Sequence, residues 1–375
     1  MEAQKIYLDF NASTPIAPEV AEAMKPFLSQ HFGNPSSQHW AGIPAKGAIE
    51  HARGQVADLL GCSPDEIVFT SGGSESNNHA IKGVFFALRE KRNHIITTQI
   101  EHPAVHNPCR FLEKLGAKVT YVPVDRYGRV DHQDIRKALT SRTILITVMH
   151  ANNEVGTMQP IEEISKIARE HGVIFHTDAA QSVGKISTKV DDLGVDLLSV
   201  AGHKLYAPKG VGALYIRGRT PIEPLIHGAN HETGRRAGTE NILLIVGLGK
   251  ACEIAKKYLT DDTIRNLRDR FWKLLQDHFG DEISLNGHPV HRLPNTLNIS
   301  FVGKPGGEIL SRLDGVAAST GAACHSGSVE LSPVLKAMGI PARVGMGAIR
   351  FSLGRTTTLQ ELERVVYILK NSIRP

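Results

Sequence analysis

The chain has 375 residues, 41% hydrophobic and 22% charged, with 35 Gly and 19 Pro spread along it; at ~100–200 residues per domain this suits a globular protein of one large and one smaller domain. Its 43 basic and 38 acidic residues leave a net charge of +5 with the signs interspersed, so no block offers itself to nucleic acid. No stretch approaches the ~20 apolar residues that span a bilayer, and the opening MEAQKIYLDF has neither a basic segment nor an apolar core, so no membrane or secretory segment is expected and a cytoplasmic location is.

From about residue 66 to 217, short β-branched runs alternate with amphipathic segments of helix length, which predicts an α/β fold with a mainly parallel sheet covered on both faces. The seven candidate strands are EIVFTSG (66–72), HIITTQI (94–100), KVTYVPV (118–124), TILITVM (143–149), VIFHTDA (173–179), LLSVAGH (197–203) and VGALYIR (211–217). Between the fourth and fifth, PIEEISKIAREHG (160–172) has helical apolar spacing, with Pro at its start and Gly at its end. A helical stretch follows over roughly 240–280. After it, TLNISFV (296–302) and AIRFSLG (348–354) flank a glycine-rich segment, and an amphipathic helix closes the chain. The expected division is a large domain over 15–257 and a smaller α/β domain from 1–14 and 258–375.

In open α/β sheets ligands bind at the carboxyl ends of the strands, and the chemically interesting residues fall there. Lys204 follows the apolar strand of LLSVAGHKLYAPKG, and Asp178 ends VIFHTDAAQ. The sequence TSGGSESNNHAIKG (70–83) runs a strand through two glycines into a helix, and His102 lies just past a strand in TTQIEHPAV. Singly, each has an ordinary structural explanation: a surface lysine, an Asp capping a helix, a turn capped by Ser74, one of 18 histidines. Together they suit pyridoxal 5'-phosphate (PLP), which needs a lysine amine, a carboxylate beside its pyridine nitrogen and a helix N-terminus for its phosphate. The four cysteines lie far apart without paired ligand spacing, so neither a zinc site nor a disulfide framework is expected. Cys62, Cys109 and Cys252 are expected to be small buried residues. Cys324, in the small-residue segment ASTGAACHSGSVELSP beside His325, is the candidate nucleophile.

With these residues in view the chain resembles the cysteine desulfurase family, selenocysteine lyase included, in the class V aminotransferase group of PLP enzymes. The likeness runs through YLDFNASTP (7–15), FGNPSS (32–37), TSGGSESNN, EHPAV, MHANNEVGTMQP (149–160), HTDAAQSVGK (176–185), GHKLYAPKGVGALY (202–215), GRRAGTEN (234–241), GAACHSG (321–327) and IRFSLGR (349–355). It implies the fold type I architecture of PLP-dependent transferases. Lys204 then matches the lysine that carries the cofactor, Asp178 the partner of the ring nitrogen, and His102 the histidine stacked on the ring. Asn153 and Gln181 match contacts to the ring hydroxyl, and Gly73, Ser74 and His203 match phosphate ligands. Thr239 matches a phosphate contact that the family supplies from the other subunit, implying a homodimer. Arg350, with Asn153 beside it, matches the group that holds the substrate carboxylate, and Cys324 the residue that takes the sulfur.

The implied reaction converts L-cysteine to L-alanine, with sulfur left on Cys324 for an acceptor protein; Lys204 moves the Cα proton, and His102 serves the substrate thiol. Two positions depart from the family's pattern. Ala201 stands where many desulfurases have a phosphate-binding serine, and Ser199 is the expected substitute. His325 follows the cysteine as it does in the animal selenocysteine lyases, which keeps L-selenocysteine as an alternative substrate.

Overall fold

The structure, a computed structural model, describes residues 5–320, 322–325 and 328–373, with the backbone alone for 322–325, 328 and 329. After a two-residue strand β1 (Ile6–Tyr7), seven strands build the main sheet: β2 (Ile67–Thr70), β3 (His94–Thr98), β4 (Lys118–Val122), β5 (Thr143–Thr147), β6 (Ile174–Asp178), β7 (Leu197–Ala201) and β8 (Gly212–Ile216). Their order is β2-β8-β7-β6-β5-β3-β4. The pairs β3/β4, β3/β5, β5/β6 and β6/β7 are parallel, while β8 runs antiparallel to both its neighbours.

Consecutive strand residues point to opposite faces, and both faces here are covered. Ile96, Ile146, Leu198 and Tyr215 enter one apolar cluster, packed by the helices Gly42–Leu60, Ile161–Glu170 and Ile242–Lys256. Their neighbours Ile95, Leu145, Leu197 and Leu214 enter another, packed by Gly73–Leu88 and Pro103–Glu113. That is why the strands read as continuous apolar runs. Most of them stop two residues short of the expected ends, β3 at Thr98 and β7 at Ala201. The leftover residues form the loops on the sheet's carboxyl edge.

The remaining strands are β9 (Ile283–Asn286), β10 (Thr296–Phe301), β11 (Val316–Ala317), β12 (Ser319–Thr320), β13 (Ala322–His325), β14 (Ser328–Leu331) and β15 (Ala348–Ser352), and a second core forms on β9, β10 and β15. Four of these form an antiparallel sheet ordered β12-β15-β10-β9. Helices Thr263–Phe279 and Leu359–Ile373 pack on it through Phe271, Leu275, Val365 and Leu369, and Ile6 and Leu8 join the same cluster. β1 pairs in parallel with β11. β13 and β14 form a separate hairpin with Cys324 opposite Val329.

The stretch expected to be helical over 240–280 is two helices, Ile242–Lys256 and Thr263–Phe279. Asp261 accepts the Thr263 N–H at 2.8 Å, and a side chain that satisfies backbone in this way starts a helix afresh. Cys109 and Cys252 are buried as expected, whereas Cys62 is only half-buried; all three are free. No helix among the described residues is long and apolar enough to cross a membrane.

Candidate active site

β7 runs into a single tight turn, Gly202–Lys204. A Cβ on Gly202 would lie 2.8 Å from the Val211 carbonyl oxygen, so the turn closes only with glycine there. Lys204 Nζ donates to the Ala12 carbonyl at 2.7 Å and also to the Asn11 carbonyl. Burial, then the Arg350 guanidinium, push its pKa down to about 8 against the opposing pull of Asp9 and Asp178. A lysine in that state keeps a neutral fraction near neutral pH and serves as base or nucleophile.

On the neighbouring strand, Asp178 is 6% exposed. It accepts from Asn77 Nδ2 at 2.7 Å and from the Ala180 N–H at 2.9 Å. Asn77 comes from the helix Gly73–Leu88, whose amino end faces the same cleft. The cap of that helix is Gly72, not Ser74. A Cβ on Gly212 would sit 2.7 Å from Gly72 Cα, so two backbones touch where a side chain would hold them apart. The first-turn N–H groups of this helix and its dipole make an anion site.

His102 begins the helix Pro103–Glu113, and its Nδ1 accepts the Ala104 N–H at 3.0 Å. The neutral ring therefore carries its proton on Nε2. Burial first, then Lys204, lower its pKa from 6.5, with Asp178 opposing. Across the cleft, Arg350 Nη1 donates to the Asn153 carbonyl at 2.8 Å, and Nη2 donates to Asp9 at 2.7 Å and to Ser319 Oγ at 3.0 Å. Its Nε is buried without a partner. Gln181 Nε2 donates to the Asn11 carbonyl at 3.0 Å and its Oε1 accepts from Lys185 Nζ at 3.0 Å.

One cleft of about 590 Å³ is lined by Lys204, Asp178, Gln181, Asn153, His102, Gly73, Ser74, His203 and Arg350. Thr239 is not among them; it borders a neighbouring cavity of about 240 Å³ with Arg236. The Cys324 side chain lies outside the described residues, and its backbone belongs to β13. Ser199 cannot replace the serine missing at Ala201. It sits two residues deeper in β7, fully buried, with its hydroxyl 2.9 Å from His176 Nε2.

Three further residues complete the site without having been expected there: Asn11, whose carbonyl holds Lys204, Asn77, which holds Asp178, and Asp9, which holds Arg350. All three lie within YLDFNASTP or TSGGSESNN. Nothing in their spacing announced partners that folding brings from far along the chain.

A family model described as "Aminotransferase class-V" matches residues 6–365. The chain is 53% identical over 374 residues to "Cysteine desulfurase IscS" of Dictyoglomus turgidum, covering 99% of this chain and 95% of that one. It is 47% identical over 381 residues to the protein of the same name from Methanosarcina thermophila, covering 100% and 93%. A solved structure titled "NIFS-LIKE PROTEIN" superposes with a TM-score of 0.93 at 38% identity and 99% of both chains. Another, "SspA in complex with cysteine", gives 0.84 at 42% identity, covering 93% and 98%. The chain belongs to the class V aminotransferase family. Within that family it stands with the NifS- and IscS-like cysteine desulfurases, whose fold it shares across the described length.

Proposed function

We propose that this chain is a PLP-dependent cysteine desulfurase that converts L-cysteine to L-alanine and hands the sulfur to an acceptor protein. The observation that carries it is the convergence of Lys204, Asp178, His102, the helix terminus at Gly73 and Arg350 on one cleft. These groups fit the cofactor. A lysine amine and a buried carboxylate end adjacent strands, and a helix N-terminus with a glycine-only approach stands beside them. Lys204 would hold PLP covalently, with Asp178 at its ring nitrogen, His102 on its face, Asn153 and Gln181 near its ring hydroxyl, and Gly73, Ser74 and His203 at its phosphate. Bound there, the cofactor supplies an electron sink for the substrate Cα.

The chain's own groups do the rest. Arg350 orients the substrate carboxylate with its planar fork, steadied by Asp9 and by the Asn153 carbonyl. The Lys204 amine takes the Cα proton and later returns one. His102 Nε2 exchanges the proton of the substrate thiol. The Cys324 thiolate attacks the substrate sulfur; the carbon–sulfur bond breaks with its electron pair going to carbon, alanine leaves and a persulfide stays on Cys324. Three free cysteines suit a reducing compartment, in keeping with a cytoplasmic enzyme. We also read it as a homodimer in which Thr239 reaches the partner's cleft, with 15–257 as the cofactor-binding part and 1–14 with 258–375 as the part bearing Cys324.

The test is alanine and sulfide release from L-cysteine with a thiol reductant, for wild type and Cys324→Ala, run in parallel with L-selenocysteine. Wild type turns over cysteine, and the variant loses at least about 100-fold in kcat while keeping the cofactor's colour. Undiminished sulfide release by the variant removes Cys324 from the chemistry. Turnover of selenocysteine alone makes the enzyme a selenocysteine lyase instead.

A further inference from the structure

The segment NASTP (11–15) supplies no side chain to the chemistry proposed above, yet it spans the Lys204 turn. Thr14 is 4% exposed. Its N–H donates to the His203 carbonyl at 2.9 Å and its Oγ1 donates to the same oxygen at 3.0 Å. That Oγ1 also accepts the Tyr206 N–H at 2.8 Å. The direction is fixed, because a backbone N–H only donates and a carbonyl only accepts. One hydroxyl therefore ties the residues on either side of Lys204.

Tyr206 is held in the left-handed region, φ 67°, where a side chain is strained and persists only if its surroundings over-determine it. They do. Its carbonyl accepts the Ala17 N–H at 3.1 Å, its hydroxyl accepts the Arg355 N–H at 2.8 Å, and the Arg355 guanidinium lies 4.2 Å from its ring centroid. The same segment supplies both carbonyls that hold Lys204 Nζ. Asn11, which carries one of them, has its own Oδ1 fixed by Lys185 at 3.2 Å and Asn295 at 3.0 Å. Thr14 borders the small cavity behind Lys204 and does not line the larger cleft.

We propose that Thr14 is a positioning residue for Lys204: its hydroxyl sets the strained turn and so fixes where the amine stands relative to Asp178 and the helix terminus. The proposal rests on Lys204 being the lysine that carries the cofactor.

Apo protein is mixed with pyridoxal 5'-phosphate, the linkage is fixed with borohydride at timed intervals, and the labelled lysine is identified by peptide mapping. Thr14→Val keeps the shape and loses the hydroxyl, and Thr14→Ser keeps the hydroxyl. The Val variant is expected to label Lys204 about tenfold more slowly and to lose a similar factor in kcat, with KM for cysteine within about twofold. The Ser variant labels at the wild-type rate. Thr14→Ala replaces Val should the latter fail to fold. Labelling of the Val or Ala variant at the wild-type rate overturns the proposal, as does a Ser variant as slow as Val, which would make packing and not the hydroxyl decisive. If wild type labels a lysine other than Lys204, the cofactor assignment fails and this inference falls with it.

Discussion

The amine of Lys204 lies between two carbonyl oxygens, close to a guanidinium and two carboxylates, and its proton affinity is the balance of these with burial. Burial and Arg350 win, giving a pKa of about 8. Only the neutral amine attacks an aldehyde, so in the apo protein the rate of linking pyridoxal 5'-phosphate should rise with pH through about 8 and level off above it. An unperturbed lysine would put that midpoint more than two units higher. A stopped-flow pH profile with its midpoint near 10 would contradict the balance. Lys204, Asp178 and His102 were legible because an isolated polar residue after an apolar strand marks the sheet's carboxyl edge. Asn11, Asp9 and Asn77 were not, since each matters through a partner over 100 residues away. Ser199 misled for a simpler reason: strand alternation puts it on the face of Ala201, but it lies two residues inside the edge.

At the level of elements, the strands were readable because two covered faces demand unbroken apolar runs. Their ends were not, as ladder pairing stops where the chain turns to deliver site residues. The break between the helices ending at Lys256 and starting at Thr263, where Asp261 accepts the Thr263 N–H, leaves no mark in the periodicity. Another feature hidden in sequence is the buried pair joining the helix Gly42–Leu60 to the turn before Thr239. Arg53 Nη1 and Nη2 each reach the Glu232 carboxylate at 2.8 Å, and the Phe69 N–H donates to it at 2.9 Å. Glu232 and Thr233 are both left-handed, at φ 48° and 54°, a pair of conformations that this anchor holds in place. Glu232→Ala leaves a buried guanidinium with only the more exposed Glu50 carboxylate at 3.3 Å and should cost about 3 kcal/mol. Urea unfolding followed by circular dichroism measures it, and a loss under about 1 kcal/mol would mean the turn is held by other contacts.

For the molecule as a whole, Leu28, Phe32, Trp40 and Ile43 stand 69%, 70%, 79% and 60% exposed within one stretch of chain. Burying exposed apolar side chains of this size against a partner would be favourable. In the homodimer proposed above, the second copy whose Thr239 would reach this cleft would also cover these side chains. Sedimentation equilibrium should give twice the mass of the chain, and Trp40→Asp should halve it. A wild-type monomer with full cofactor affinity would leave Thr239 without that role. The contacts of Asn11 reach Asn153, Gln181, Lys204, Asn295, Thr296 and Ser352, so one residue waits for a partner 341 positions further along the chain. Ordering of Asn11 therefore requires the second sheet, through Thr296 and Ser352, and not the main sheet alone.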